Sequence, residues 1–203
     1  SKNFLFSLLY AKNNGSKKSI GSLSIQNIDL SSFRKIPKNY FLLSSIEHPL
    51  INSIDFFGSI LINKSSIKAE LQHQKGFLFA KGIKSMNFSS SKFYGNRFFN
   101  LNSTFILIHN SLINHKAIIW ITHCLISFNR VVFGGLISVI WGENLSEISF
   151  FLSSNSILSN TASLKGAIFY FKMDDNDMNE ILKNLKFKFQ NNRILRNKSP
   201  QGL

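Results

Sequence analysis

The chain has 203 residues, of which 44% are hydrophobic and 17% charged, a balance that excludes a wholly disordered chain and allows one continuous apolar core. Its 24 Lys and Arg against 10 Asp and Glu give a formal net charge of +14. Such a charge would suit nucleic acid, an anionic membrane or an acidic polysaccharide. An AT-rich genome produces the same bias toward Lys and Asn, so the charge alone does not define a function.

Cys124 is the single cysteine, which excludes an intrachain disulfide and a multi-cysteine metal site. It stands in an apolar run and is interpreted as a small core residue rather than a nucleophile. No window reaches the roughly 18 uninterrupted apolar residues of a membrane span. Because the sequence starts at Ser1 without a Met and stops inside a repeat, we expect it to be part of a longer protein.

Short runs rich in Ile, Phe and Leu follow one another along the chain, separated by Asn, Gly and Ser. Such runs are typical of β-strands joined by turns. In chain order, the predicted strands are 22–25, 59–62, 103–108, 136–140 and 167–171. A weak helical pattern at 177–185 overlaps a predicted loop insertion near 172–184.

A fixed spacing of residues recurs around these strands. An apolar residue is followed after five positions by another, after three more by Asn, and about six later by Gly or Asn. The successive asparagines are separated by 44, 33, 31 and 37 residues. The asparagines of this frame are Asn52, Asn96, Asn129, Asn160 and Asn197. The glycines of the frame are Gly58, Gly135, Gly166 and Gly202.

Asn and Gly enter the left-handed backbone region at low cost, so each can turn the chain between sheets. If coils stack about 4.8 Å apart, equivalent asparagines bond in a ladder while equivalent apolar residues stack inside. The sequence therefore predicts an all-β, right-handed parallel β-helix, a solenoid over 1–203 as a single segment of a longer one. The repeat is clearest in 86–203 and weaker in 14–62. A β-sandwich of hairpins is the alternative, but it does not explain the recurring spacing.

The frame resembles the short repeats of chlamydial polymorphic outer membrane proteins, which pair Phe-x-x-Asn with Gly-Gly-Ala-Ile. The first element occurs here as FYGN (93–96), ISFN (126–129), ILSN (157–160) and ILRN (194–197). The second occurs as GGLI (134–137) and KGAI (165–168). Similar repeats occur in large pectin-lyase-like surface proteins of ciliates. The resemblance implies a right-handed β-helix exposed at a cell surface for adhesion or structure, without catalytic residues.

Enzymes with this fold that act on polysaccharides need clustered carboxylates for acid–base chemistry or calcium binding. Five of the six carboxylates outside the run at 174–180 are spread along the chain and share no position in the repeat: Asp29, Asp55, Glu70, Glu143 and Glu147. The run itself lacks the Gly and the final Glu of a calcium loop. We therefore expect no enzyme activity, no cofactor and no catalytic, cofactor-binding or metal-binding residues.

The chain is thus predicted to be a non-catalytic structural or adhesive scaffold that is secreted or lies at the cell surface. Its predicted partners are other copies, other subunits or glycans. A basic subunit of a mitochondrial ribosome or respiratory assembly and a carbohydrate-binding β-helix are the alternatives. The residues proposed for contact with a polyanion are Lys183, Lys186, Lys188, Arg193, Arg196 and Lys198. Sequons that could carry glycans begin at Asn14, Asn63, Asn87 and Asn144.

Overall fold

The structure is a computed structural model, and it describes eleven stretches of the chain. These are residues 9–12, 22–27, 29–30, 51–54, 58–67, 70–71, 77–98, 104–110, 116–141, 147–173 and 183–200. Within them the backbone forms 22 strands in four sheets, and every strand pair is parallel.

The strands follow one another as successive turns of a coil. The first coil contains β1 (Leu9–Lys12), β2 (Ser22–Gln26) and β3 (Asp29–Leu30). The second contains β4 (Ile51–Ile54), β5 (Ser59–Asn63), β6 (Ser66–Ile67) and β7 (Glu70–Leu71). The third contains β8 (Leu78–Lys81), β9 (Ser85–Ser89), β10 (Lys92–Tyr94) and β11 (Arg97–Phe98).

The later coils repeat this order. The fourth contains β12 (Ile106–Asn110), β13 (Ala117–Thr122), β14 (Leu125–Ser127) and β15 (Arg130–Val131). The fifth contains β16 (Ile137–Trp141), β17 (Ile148–Ser153), β18 (Ser156–Leu158) and β19 (Thr161–Ala162). The sixth contains β20 (Phe169–Met173), β21 (Leu185–Gln190) and β22 (Arg193–Leu195).

Each sheet collects the strands that hold the same place in successive coils. We name the sheets A, B, C and D in chain order: A runs β1-β4-β8-β12-β16-β20 and B runs β2-β5-β9-β13-β17-β21. Sheet C runs β3-β6-β10-β14-β18-β22, and sheet D runs β7-β11-β15-β19. A strand therefore pairs with the coil before it and the coil after it, which is the arrangement of a parallel β-helix. The right-handed sense of the coil, which the twist of L-residue strands favours, stays a prediction.

The core lies inside the coils because alternate residues of each strand point inward. In β13 buried and half-buried residues alternate along the whole strand. Ile121 pairs in register with Phe88 on one side and Leu152 on the other, and all three are at most 1% exposed. Aromatic rings continue this stacking: the Phe77 and Phe105 centroids lie 5.1 Å apart. Each coil thus buries its apolar side chains largely against its neighbours.

Several predicted strands coincide with observed ones, but they belong to two different sheets. The predicted strands at 22–25 and 59–62 are β2 and β5 of sheet B, whereas those at 136–140 and 167–171 overlap β16 and β20 of sheet A. The predicted strand at 103–108 overlaps β12, which begins at Ile106. Most of the helical pattern at 177–185 falls outside the described residues, and Leu185 begins β21. The hairpins of the alternative β-sandwich are excluded for the described strands because all of their pairs are parallel.

Candidate functional site

The corner between sheets C and D contains a ladder of buried asparagines. Asn96, Asn129, Asn160 and Asn197 occupy it in four successive coils and are all at most 8% exposed. The Oδ1 of Asn160 accepts hydrogen bonds from the backbone N–H of Asn129 at 3.0 Å and from its Nδ2 at 2.9 Å. Asn129 accepts from Asn96 and Asn197 accepts from Asn160 in the same way.

The second Nδ2 hydrogen of each asparagine binds the preceding coil. Asn129 Nδ2 donates to the carbonyl of Phe93 at 2.9 Å, and Asn160 Nδ2 donates to that of Ile126 at 2.9 Å. A primary amide is the one uncharged side chain that both accepts and donates twice, so it satisfies every polar group at a buried corner. The four asparagines therefore fasten each coil to the coil before it and the coil after it.

The residue before each ladder asparagine turns the chain. Gly95, Phe128, Ser159 and Arg196 all have positive φ, between 53° and 64°. This left-handed conformation costs little for Gly but is unusual for a bulky residue such as Phe128. The left-handed conformation therefore depends on the position of the residue in the coil and not on its type. Its side chain points away from the core, so residues from Gly to Phe and Arg occur there.

Two residues of the predicted ladder lie elsewhere in the described coils, which corrects the sequence frame. Asn52 is in β4 of sheet A, where its backbone pairs with Tyr10 and Phe79. Gly58 lies before sheet B, and its carbonyl accepts the N–H of Lys84 at 3.0 Å. The frame was misaligned there because the corner between β6 and β7 carries no matching asparagine. Gly202 lies outside the described residues.

Gly135 and Gly166 both lie in the turn from sheet D to sheet A. The Gly135 carbonyl accepts the Thr104 hydroxyl at 2.7 Å, and an added Cβ at Gly135 would lie 2.7 Å from the backbone carbon of Ile168. Gly166 has φ +46°, and a Cβ there would clash with the carbonyl oxygen of Phe169. Both positions therefore require glycine. In sheet A, however, Ile137 pairs with Phe169, which lie two residues after Gly135 and three residues after Gly166, respectively, so the observed register differs by one residue from the sequence frame.

A second ladder, which the sequence frame missed, follows the corner between sheets B and C. Its members are Ser65, Ser91, Cys124, Asn155 and Asn192. The Oδ1 of Asn155 accepts the N–H of Cys124 at 2.9 Å, and Asn192 accepts the N–H and Nδ2 of Asn155. A signal was present in the sequence, since four of these five residues stand five positions before a ladder asparagine.

Cys124 is part of this second ladder and not of a reactive site. Its thiol is 2% exposed and donates to the carbonyl of Thr122 at 3.3 Å. Burial raises the pKa of the Cys124 thiol to about 11, against smaller opposing effects of hydrogen bonds with the backbone of Ser91 and Thr122. The thiolate is therefore scarce at neutral pH.

The structure distributes the six basic residues of the predicted polyanion contact around the last coil. Lys186 and Lys188 lie in β21 of sheet B and Arg193 in β22 of sheet C. Arg196 is at the corner between sheets C and D, and Lys198 pairs with Thr161 of sheet D. Lys183 precedes β21. The residues therefore lie on different sides of the solenoid and do not form a single patch.

Sheet D instead gathers cations from three separate coils in one register. Arg97 pairs with Glu70 on one side and with Arg130 on the other, Arg130 pairs with Thr161, and Thr161 pairs with Lys198. The three cationic residues are exposed. Beside the end of this column lies an open cavity of about 640 Å³, lined by Thr161, Ser163, Asn197, Lys198, Ser199 and Pro200 among others.

Glu147 has cationic neighbours on sheet B. Its Oε1 lies 2.8 Å from the Nζ of Lys116 and 3.1 Å from that of Lys186, and it accepts the Ser149 hydroxyl at 3.2 Å. These contacts, led by the hydrogen bond with Lys116, lower the pKa of Glu147 to about 2. The group joins coils four, five and six across the start of their sheet B strands.

Two of the predicted sequon asparagines lie in sheet B. Asn63 ends β5 and accepts the Ser89 hydroxyl at 3.0 Å. Asn87 is half-buried in β9, and its Oδ1 is buried without a hydrogen-bond partner. Asn14 and Asn144 lie outside the described residues.

The described stretches also lack a metal-binding cluster and a membrane-spanning helix. They bring together no group of three or more His, Cys, Asp or Glu residues that could hold a metal ion. Nor do those stretches contain a helix with the length and apolar character needed to cross a membrane. The chain matches no known protein-family model, no curated protein and no solved structure.

Proposed function

We propose that the chain is a non-catalytic structural or adhesive β-helix scaffold of a cell-surface or extracellular assembly. The observation that carries this proposal is the in-register stack of six coils, held by two polar ladders and one apolar core. Such a stack is a rod that presents the same outward positions again and again, about 4.8 Å apart. A repeating rod is suited to spacing, anchoring and adhesion.

The last coil supports a role for the ends of the rod in assembly. Phe187 and Phe189 face the interior in register with buried Phe150 and Leu152, yet they are 39% and 49% exposed. Ile194, in register with buried Ile157, is 38% exposed. Exposed interior side chains beside unpaired strand edges favour docking of another coil, from further residues of the same protein, a second copy or another subunit.

The resemblance to polymorphic outer membrane proteins and ciliate pectin-lyase-like surface proteins supports the surface location. The Phe-x-x-Asn-like element of the resemblance occurs in four copies, and the asparagine of each copy belongs to the ladder between sheets C and D. The resemblance therefore rests on residues with a defined structural role. Because these motifs are short, membership of this family is itself part of the proposal.

Location can be tested in the native cell with an antibody against this chain. Labelling of intact, unpermeabilised cells or of secreted matrix is expected. Labelling that appears only after permeabilisation and coincides with mitochondria would contradict the proposal and favour the organellar alternative.

End docking can be tested by sedimentation velocity over a range of concentrations. Phe187→Ser combined with Phe189→Ser should reduce association of the folded chain with itself or with the assembly, because it removes apolar area from the exposed end. Phe128→Ser is the control, since Phe128 is 64% exposed but lies at a corner away from the interior. Equal effects of the two variants would exclude docking through the end coil.

A further inference from the structure

The arginines of the chain are concentrated on one side of the solenoid. Of its five arginines, Arg97 and Arg130 lie on sheet D, Arg193 lies on sheet C, and Arg196 lies at the corner between them. The fifth, Arg34, lies outside the described residues. All four placed arginines are exposed. The numerous lysines, in contrast, lie on several sides, so compositional bias toward Lys does not explain this grouping.

Sheet D places like charges on neighbouring rungs. Arg97 and Arg130 are backbone partners, so their Cα atoms lie about 4.8 Å apart, and Lys198 follows two rungs further on after Thr161. Glu70 is the partner of Arg97 on the other side, so the column carries three cationic residues and one carboxylate. This excess of positive charge suits an anionic partner that runs along the axis of the solenoid.

Hydroxyl groups surround the end of this column. The cavity of about 640 Å³ beside it has a mainly apolar surface, and its lining residues are Thr161, Ala162, Ser163, Asn197, Lys198, Ser199 and Pro200. Hydroxyls can donate hydrogen bonds to a polyhydroxylated ligand and accept them from it, and an ammonium group can donate them. Thr161 lines the cavity and is also the sheet D partner of Arg130, so the cavity and the charged column share this residue.

Phe128 adds one apolar contact at the edge of the same surface. Its ring is 64% exposed and its backbone has φ +56°, an unusual conformation for a bulky residue. In the neighbouring coils the equivalent corner residues are Gly95 and Ser159, so the ring is flanked by small residues. Arg130 follows two positions later in the same coil.

We propose that this surface, formed by Arg97, Arg130, Arg196, Lys198 and Phe128 and named the arginine face, binds a linear anionic polysaccharide. The guanidinium groups would pair with its carboxylate or sulfate groups, because their planar donors fit such anions in a two-point geometry. The cavity would take up a sugar unit next to the hydroxyls of Thr161 and Ser163. Single-stranded nucleic acid fits less well, since its recognition uses several aromatic side chains on successive bases and the described face offers Phe128.

This inference rests on the scaffold proposal and names the ligand class through which the scaffold would adhere. The two can fail separately. If the unmodified protein is folded and lies at the cell surface but binds no acidic polysaccharide, only the inference is overturned. An intracellular location would instead overturn the scaffold proposal.

The test is equilibrium binding of the full chain to heparin and to polygalacturonate, with dextran as the uncharged control and a single-stranded RNA as the competing polyanion. Arg130→Gln combined with Lys198→Gln should weaken heparin binding by about tenfold and make its salt dependence shallower. Lys84→Gln combined with Lys188→Gln removes the same charge from exposed positions at sheet B and is the matched control. It should retain the binding of the unmodified chain.

Selective loss in the first variant, with both variants folded by circular dichroism, supports the arginine face. Equal loss in both variants would show that net charge alone is responsible and would overturn the site. Absence of binding to either acidic polysaccharide at low salt would do the same, and tighter binding of RNA than of heparin would overturn the ligand class.

Discussion

At the scale of the residue, Asn160 shows how much one ladder position contributes. Its side chain makes hydrogen bonds with Asn129, Ile126 and Asn197 at 2.8–3.0 Å. Asn160→Ala would leave the N–H of Asn129 and the carbonyl of Ile126 buried without these partners. The free energy of unfolding should fall by about 3 kcal/mol, the cost of two or more unsatisfied groups.

Urea denaturation followed by circular dichroism measures this loss. Ser163→Ala is the control because Ser163 is exposed near the same corner, and it should change stability by less than about 0.5 kcal/mol. An unchanged unfolding midpoint for Asn160→Ala would contradict the stacked ladder.

Cys124 should be protected from thiol reagents in the folded chain. Its side chain is 2% exposed, and burial raises its pKa to about 11 from an ordinary 9.0, which lowers the thiolate fraction at pH 8 roughly a hundredfold. A chromogenic disulfide reagent should react slowly with the native protein and rapidly in urea. Rapid labelling without denaturant would contradict the buried position.

Glu147 should make stability depend on pH in acid. The ammonium groups of Lys116 and Lys186 lower its pKa to about 2 in the folded chain, below the ordinary 4.5 of the unfolded chain. A lowered carboxyl pKa stabilises the fold above pH 4.5, and this contribution is lost as the pH falls from 4.5 through 2. The excess stability of the unmodified chain over Glu147→Gln should therefore shrink across that range.

Chemical denaturation of both proteins at a series of pH values measures this difference. Because the contact is solvent-exposed, added salt should reduce the difference at neutral pH. A difference that stays constant from pH 7 to pH 2 would show that the ion pairs do not link the three coils.

At the scale of the element, two strands of sheet B carry the same residue type at the same position but differ in how far it is buried. β17 and β21 carry Phe150 and Phe187 in one register, with ring centroids 5.1 Å apart, but Phe150 is fully buried and Phe187 is 39% exposed. Phe150→Ala should cost about 4 kcal/mol because it leaves a cavity between coils. Phe187→Ala should cost less than half as much. Thermal or urea unfolding of the two variants gives the comparison, and equal costs would contradict the open end.

Local patterns were sufficient to predict the parallel coils and most of the corner ladder. The Asn residues at 96, 129, 160 and 197 stand in the same local context in each coil, so their register is visible in the chain itself. Asn52 was misaligned because the second coil has no asparagine at the corner and a nearby Asn-to-Gly spacing took its place. The second ladder escaped because its first three members are Ser65, Ser91 and Cys124, which share small size and not residue type.

Arg196 and Lys198 of the arginine face are among the residues predicted for contact with a polyanion. Their grouping with Arg97 and Arg130 could not be predicted because it is a property of stacking. Arg97, Arg130 and Lys198 are separated by 33 and 68 residues, and only the register of sheet D makes them neighbours. The basic residues predicted for contact with a polyanion are spread around the coil for the converse reason. Residues 183–198 are close in sequence, but a coil carries successive residues around its whole perimeter.

At the scale of the whole molecule, stability should vary along the axis of the solenoid. A coil contacts only its neighbours, so an inner coil loses two interfaces when it opens and an end coil loses one. The backbone amides of β9, β13 and β17 are paired on both sides and surround the residues with least exposure. Those of β21 and β22 form the last strands of their sheets.

Native-state hydrogen exchange should therefore show the slowest exchange in β9, β13 and β17 and the fastest in β21 and β22, with β14 and β18 between them. Phe187→Ser with Phe189→Ser should speed exchange in β21 and β22 with little effect on β9, since the disturbance passes only through intervening coils. Phe150→Ala should instead speed exchange on both sides of β17. Uniform protection along the chain, or an equal response of β9 to both changes, would mean that the coils open as a single globular unit and not as a stack.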